Sequence, residues 1–302
     1  MATWDITSAS YDQEESVNAK ETNPSGVFFK PDGSEMYVVG NTSDAIHQYN
    51  LGTNWDVTTA SFDSTTSVAA SNPQDVFFSA DGTEMYISEQ SNSSIYQYTL
   101  STPWDLSSSS HTRTEDISGD AAAPRAAVFN TDGSKFYSLS NGGIVSEWDA
   151  STAWNIGTIT HVRDFDASGK TNFSVGFWFN PDGSQFFIED SGNDEIYEYN
   201  LGTPWNVSTA AWNATLDISG TEIGGFGIYI KADGSLLFLT GSIGGGNISQ
   251  WDMTPPAAGT NTQINIGDAW KDVSGIQINI GDVWKDVTKV EVNVGDAWKT
   301  VF

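Results

Sequence analysis

The chain has 302 residues, a net charge of −27 and no cysteine. Its length suits one large all-β domain plus a small second one, and the missing thiols exclude a disulfide framework and a thiolate metal site. With only three arginines, Arg113, Arg125 and Arg163, so acidic a surface repels nucleic acid and anionic lipid, because counterion release needs Lys and Arg.

The opening Met1-Ala2-Thr3-Trp4-Asp5 has no basic start and no apolar segment of a secretory signal. No apolar run reaches bilayer length, so a soluble protein without a membrane partner is expected.

Repetition governs everything that follows. The pairs Asp32-Gly33, Asp81-Gly82, Asp132-Gly133, Asp182-Gly183 and Asp233-Gly234 are spaced by 49, 51, 50 and 51 residues. Each repeat has four segments. The first opens on Trp: Trp4-Asp5-Ile6, Trp55-Asp56-Val57, Trp104-Asp105-Leu106, Trp154-Asn155-Ile156 and Trp205-Asn206-Val207. The second is apolar at three successive positions, as in Val27-Phe28-Phe29 and Phe177-Trp178-Phe179, and reads as a strand buried on both faces. Asp-Gly follows, as a hairpin turn in which both residues tolerate positive φ. The third segment resembles Met36-Tyr37-Val38-Val39. The fourth is a quartet of Ile or Val, any residue, Gln or Glu, then Tyr or Trp, from Ile46-His47-Gln48-Tyr49 to Ile248-Ser249-Gln250-Trp251.

Four strands in about fifty residues, five times over, predict a five-bladed β-propeller across residues 1–252. The chain begins on a Trp segment, and the last quartet has none after it. The strand around Thr7 to Val17 is therefore expected to close the last blade and remove an open edge.

Residues 253–260, rich in Pro and small residues, read as a linker. A small β-hairpin-repeat domain follows over 261–302, with three copies at a period of fourteen, beginning Ile264-Asn265-Ile266-Gly267-Asp268-Ala269-Trp270-Lys271. Four lysines against six acids give this tail a net charge of −2, leaving −25 for the rest. Short hairpins carrying Trp270, Trp284 and Trp298 beside Lys271, Lys285 and Lys299 are marginal alone, so they are expected to anchor or oligomerise.

This tail resembles the Gly-x-x-Trp-Lys-x-Val repeats near the C-termini of tailed-bacteriophage structural proteins, tail, fibre or decoration components among them. The matching residues are Gly267/Trp270/Lys271/Val273, Gly281/Trp284/Lys285/Val287 and Gly295/Trp298/Lys299/Val301. The fifty-residue repeat is similar to propeller-like repeats in phage and environmental bacterial proteins. The resemblance implies a virion location, other virion proteins as partners, a homo-oligomer with a trimer favoured, and contact with a host surface glycan. A stand-alone lectin-like propeller is the alternative, and a glycoside hydrolase comes after it.

The centre of the ring was the place to look for catalysis. Six residues before each turn Asp stand Gly26, Asp75, Ala126, Gly176 and Gly227, and one earlier stand Ser25, Gln74, Arg125, Val175 and Phe226. Asp75 is the single acid there. Glycoside hydrolysis needs two carboxyl groups, so an Asp75–Arg125 ion pair is the expected arrangement. Seven residues after each opening Trp come Tyr11, Phe62, His111, His161 and Trp212. These rings are expected to pack between blades, with stacking on sugars as the functional alternative. The histidines then read as packing residues, His47 as a variable quartet position, and no metal, cofactor or catalytic residue is assigned. The turn aspartates read as turn formers rather than calcium ligands.

Overall fold

The computed structural model describes residues 4–221, 225–241 and 246–253, and beyond them the strands at 262–266, 269–273, 277–280, 283–286, 291–294 and 297–300. The chain divides into two compact units, Met1–Thr254 and Pro255–Phe302, with the break inside the expected linker.

The first unit is a five-bladed β-propeller of four-stranded antiparallel sheets. From the axis outward, blade 1 holds Pro24–Phe29, Glu35–Gly40, Ala45–Leu51 and Ala60–Ser67. Blades 2, 3 and 4 repeat the order over residues 73–116, 124–166 and 174–217. Blade 5 takes Gly227–Ile230, Leu236–Gly241 and Asn247–Asp252 from one end of the chain and Ser10–Ser16 from the other. Tyr11 lies opposite Trp251 and Ser16 opposite Asn247, so the N-terminal strand closes the ring as expected. Each innermost strand touches the innermost strands of both neighbouring blades. The inner and middle strands are buried almost throughout, whereas the outermost alternate between exposed and half-buried residues.

The Asp-Gly turn differs from its expected form. Only Gly has positive φ, between 69° and 74° at its five positions. In blade 1 the Gly33 N–H donates to Lys30 O at 2.8 Å and the Lys30 N–H to Glu35 O at 3.0 Å. The loop is therefore a four-residue connection, a turn followed by a left-handed Gly. Asp32 keeps ordinary φ and uses its carboxylate: Oδ1 accepts from the Ser34 N–H at 2.9 Å and the Ser34 hydroxyl at 2.6 Å. Those bonds hold Asp32 below the usual carboxylate range, and the same pattern recurs at Asp81, Asp132 and Asp182. Glycine has a second reason to be there. The opening Trp of the segment between the third and outermost strands lies directly over it: Trp55 over Gly33, Trp104 over Gly82, Trp154 over Gly133, Trp205 over Gly183 and Trp4 over Gly234.

The rest of each Trp segment clasps one blade to another. Ile6, Val57, Leu106, Ile156 and Val207 are fully buried and begin short 3-10 turns, each capped by the preceding Asp or Asn. Their N–H groups donate to the quartet Gln or Glu of the preceding blade: Val57 to Gln250, Leu106 to Gln48, Ile156 to Gln97, Val207 to Glu147 and Ile6 to Glu198, all at 3.1–3.3 Å. The invariant amide or carboxylate of the quartet is thus an inter-blade acceptor. Two of these five clasps cross the seam between the chain's ends.

The second unit contains three two-stranded hairpins: Thr262–Ile266 with Ala269–Val273, Gln277–Ile280 with Val283–Asp286, and Glu291–Val294 with Ala297–Thr300. The side chains of Trp270, Lys271, Trp284, Lys285, Trp298 and Lys299, expected to anchor the chain, lie outside the described residues.

Candidate functional site

Successive residues of the innermost strands face alternately toward the axis and toward a neighbouring sheet. At the start of these strands the chain converges. A Cβ on Gly26 would lie 2.8 Å from the Cα of Asp75, and one on Gly227 would lie 2.8 Å from the Cα of Gly26. Glycine at three of the five positions lets the strands approach this closely.

Asp75 sits in that constriction. Its Oδ1 accepts from the Val76 N–H at 2.9 Å and its Oδ2 from the Ala127 N–H at 3.4 Å. Burial pushes its pKa up to about 8, against the lowering effect of the two N–H groups it accepts from. The expected ion pair with Arg125 does not form. Arg125 is one register step away and donates from Nη1 to Gln74 Oε1 at 2.5 Å, with its guanidinium 4.7 Å from the centre of the Phe173 ring. Gln74 and Arg125 each stand at a register shift, between Pro73 and Asp75 and between Pro124 and Ala126, so Arg125 meets Gln74 rather than Asp75.

Above the constriction the axis is filled by rings. The central residues of the five apolar triplets are Phe28, Phe77, Val128, Trp178 and Tyr229. Phe28 contacts Phe77 at 5.4 Å, Trp178 at 5.9 Å and Tyr229 at 5.3 Å between centroids, and Phe77 contacts Trp178 at 6.0 Å. Contacts between blades 1 and 4 and between blades 2 and 4 run straight across the axis. This layer is the floor of a cavity of about 210 Å³ that opens at the Asp-Gly turns. Its rim comes from the residues before the turn aspartates: Pro31, Ala80, Thr131, Pro181 and Ala232. Trp154 and Trp205 form part of the wall; Asn130 and Asn180 also line it, with their side-chain amides bonded within the turns to Ser134 and Lys135 and to Ser184 and Gln185. Among the described residues no charged residue lines this funnel. Such a surface suits the apolar face of a ring-shaped ligand. The accessible cavity is thus at the end of the innermost strands opposite to the one singled out from the sequence. The signal for it was the column Phe28, Phe77, Val128, Trp178 and Tyr229, whose side chains face the axis while their neighbours face adjoining blades.

The ring slot also lies elsewhere than expected. Tyr11, Phe62, His111, His161 and Trp212 stand on the outermost strands, not between blades. Tyr11 and Phe62 are 41% exposed and Trp212 48%. A register shift in each outer strand pair sets them opposite the quartet ring: Tyr11 and Trp251, Phe62 and Tyr49, His111 and Tyr98, His161 and Trp148, Trp212 and Tyr199. Cross-strand packing explains an aromatic or planar residue there without a neighbouring blade. Lys20 and Lys170 each lie 3.8 Å over the rings of Phe62 and Trp212.

His47 is buried between Ser43 and Thr65, with ring nitrogens 3.0 and 2.9 Å from their hydroxyls, and burial lowers its pKa. His161 lies 2.9 Å from Asp164. Among the described residues no group of three or more His, Asp or Glu is placed to hold a metal ion. Buried acids act instead as loop caps: Asp190 accepts from the N–H groups of Asn172, Phe173, Gly192 and Asn193, and Glu21 from those of Asn23 and Ser43. Asp sequestered in this way needs no ligand to explain it.

No protein-family model and no curated protein sequence matches the chain. Among solved structures it is similar to a functionally unknown protein from Desulfotomaculum acetoxidans, at 14% identity and TM-score 0.47 over 72% of this chain and 67% of that one. It is also similar to a protein from Bacteroides uniformis assigned provisionally as a 6-phosphogluconolactonase, at 18% identity and TM-score 0.47 over 70% of this chain and 61% of that one. A third is the β-propeller domain of Myceliophteria thermophila Cps50 (Swd1), at 10% identity and TM-score 0.47 over 80% of this chain and all of that one. Likenesses at this level carry no functional argument.

Proposed function

We propose that the protein is a non-catalytic display component of a tailed-phage type of virion. The propeller carries a host-surface glycan in its axial funnel, and the C-terminal hairpin repeats fasten the chain, as a trimer, to other virion proteins. The observation that carries the binding part is the funnel itself. Its floor is aromatic and its lining is uncharged. Aromatic faces hold a sugar ring, whereas hydrolysis would require two carboxyl groups flanking the bond. The attachment part is supported by the Gly-x-x-Trp-Lys-x-Val repeats and by the near-neutral charge of the tail beside a strongly acidic propeller.

A glycan array probed with the full chain tests this reading. Binding to a defined subset of neutral glycans is expected, and Ala232→Trp, an exposed rim position, should abolish it by blocking the funnel with Tm nearly unchanged. Absence of binding to any neutral glycan, neutral-glycan binding that survives Ala232→Trp, or release of a cleaved sugar would overturn it.

A further inference from the structure

Blades 2 and 3 carry different side chains at equivalent positions. In blade 3 the register pairs Lys135 with Asp149 and Glu147 with Arg163. Lys135 Nζ lies 2.8 Å from Glu147 and 2.6 Å from Asp149. Arg163 Nε lies 3.5 Å from Glu147, and its Nη1 donates to Asn206 at 2.7 Å. These charges satisfy one another.

In blade 2 the same register pairs Glu84 with Thr99 and Gln97 with Arg113. Glu84 accepts from Gln97 at 2.9 Å and Thr99 at 3.0 Å, so both its oxygens are occupied. Arg113 is left over. Among the described residues it is the one Lys or Arg without an ion pair, a side-chain hydrogen bond or an aromatic ring beneath it. Beside it lies a groove of about 350 Å³. Its walls include Gln97, Thr112, Thr152 and Asn155, and also Glu84, whose two oxygens are already taken up by Gln97 and Thr99.

The backbone makes room for this guanidinium. Two residues after the cap of each 3-10 turn stand Thr7, Thr58, Ser107, Gly157 and Ser208. A Cβ on Gly157 would collide with Arg113. The one glycine in that column therefore occurs where an unpaired Arg must pass.

We propose that this groove binds a saccharide unit bearing one carboxylate. The guanidinium fork matches a carboxylate in two parallel hydrogen bonds. The Thr112 and Thr152 hydroxyls and the Asn155 amide at the walls of the groove suit the hydroxyls of a sugar ring. Arg113, the one such free cation among the described residues, favours a single negative charge, and the net charge of −27 together with Glu84 at the wall repels multiply charged anions. The site is separate from the funnel, although Trp154 lines both, and it does not rest on the funnel's occupant.

The test titrates the full chain with trigalacturonate, neutral trigalactose and inorganic phosphate, followed by calorimetry. Trigalacturonate should bind, trigalactose at least tenfold more weakly, and phosphate without measurable heat. Arg113→Gln should weaken uronate binding at least tenfold. Gly157→Ser, the residue found at equivalent positions, should do the same while keeping the charge, by displacing the guanidinium. Ala232→Trp should leave it unchanged, and Tm should report that all variants fold. No uronate binding, equal binding of the neutral sugar, or phosphate binding as tightly as uronate overturns the proposal. So does uronate binding that Arg113→Gln spares, including the case where Ala232→Trp abolishes it, which would place the ligand in the funnel.

Discussion

Removing residues 1–17 is expected to lower Tm by more than about 15 °C and to convert the protein largely into aggregates, read by differential scanning calorimetry and size exclusion. The segment supplies the outermost strand of blade 5, so its loss strips one edge of Asn247–Asp252. It also removes Ile6, which is fully buried, and Val17, which is 1% exposed. Burying two such aliphatic side chains contributes about 3–6 kcal/mol. The clasp from Ile6 to Glu198 goes with them and leaves a buried carboxylate short of a donor, at a cost of about 1–3 kcal/mol. The Trp4 ring, 6.3 Å from Phe187 and packed over Gly234, is lost as well. Together these losses rival the whole stability of an ordinary domain, about 5–15 kcal/mol. The exposed strand edge would then be free to pair with other chains. A truncated chain that stays monomeric and melts within about 3 °C of the parent would contradict this.

Gly133→Ala is expected to be strongly destabilising. Gly133 has φ of 73°, a conformation that costs an L-residue about 1–2 kcal/mol. Its new methyl would also fall within the Trp154 ring, and overpacking of this kind costs about 1–3 kcal/mol. A fall in Tm of roughly 5–15 °C should follow. Gly202→Ala is the control. A Cβ there would meet Thr209 at 3.6 Å, an ordinary contact, and φ is not positive, so Tm should move by less than about 2 °C. Equal effects at the two positions would refute the assignment of the Trp over the turn.

The period of the turns made the blades legible in the sequence, and the unpaired Trp4 segment made the closure legible, because both are matters of counting. The constriction was legible in part. The column containing Gly26, Asp75 and Gly227 was located, but glycines there signify convergence of strands rather than an open channel. A register shift at Gln74 and at Arg125 separates Arg125 from Asp75, an irregularity that adjacency in sequence does not convey. Tyr11, Phe62 and Trp212 were recognised as one column, yet an aromatic on an outer strand and one between blades look alike without the bulge that sets its partner. The funnel was hidden because its floor residues sit inside runs such as Val27-Phe28-Phe29, where every position is apolar and periodicity carries no direction. Arg113 and Arg163 both stand nine residues after the opening Trp of their repeats, and only their partners across the strands distinguish them.

Amide hydrogen exchange on the full chain tests the interlocked ring most directly. If the two ends are woven into one blade, the amides of Ser10–Ser16 and Asn247–Asp252 that pair across the seam should be protected to the same degree as those joining Ala45–Leu51 to Ala60–Ser67. Exchange at residues 10–16 as fast as in a free peptide, while the other outermost strands stay protected, would mean that the ring is open at this seam.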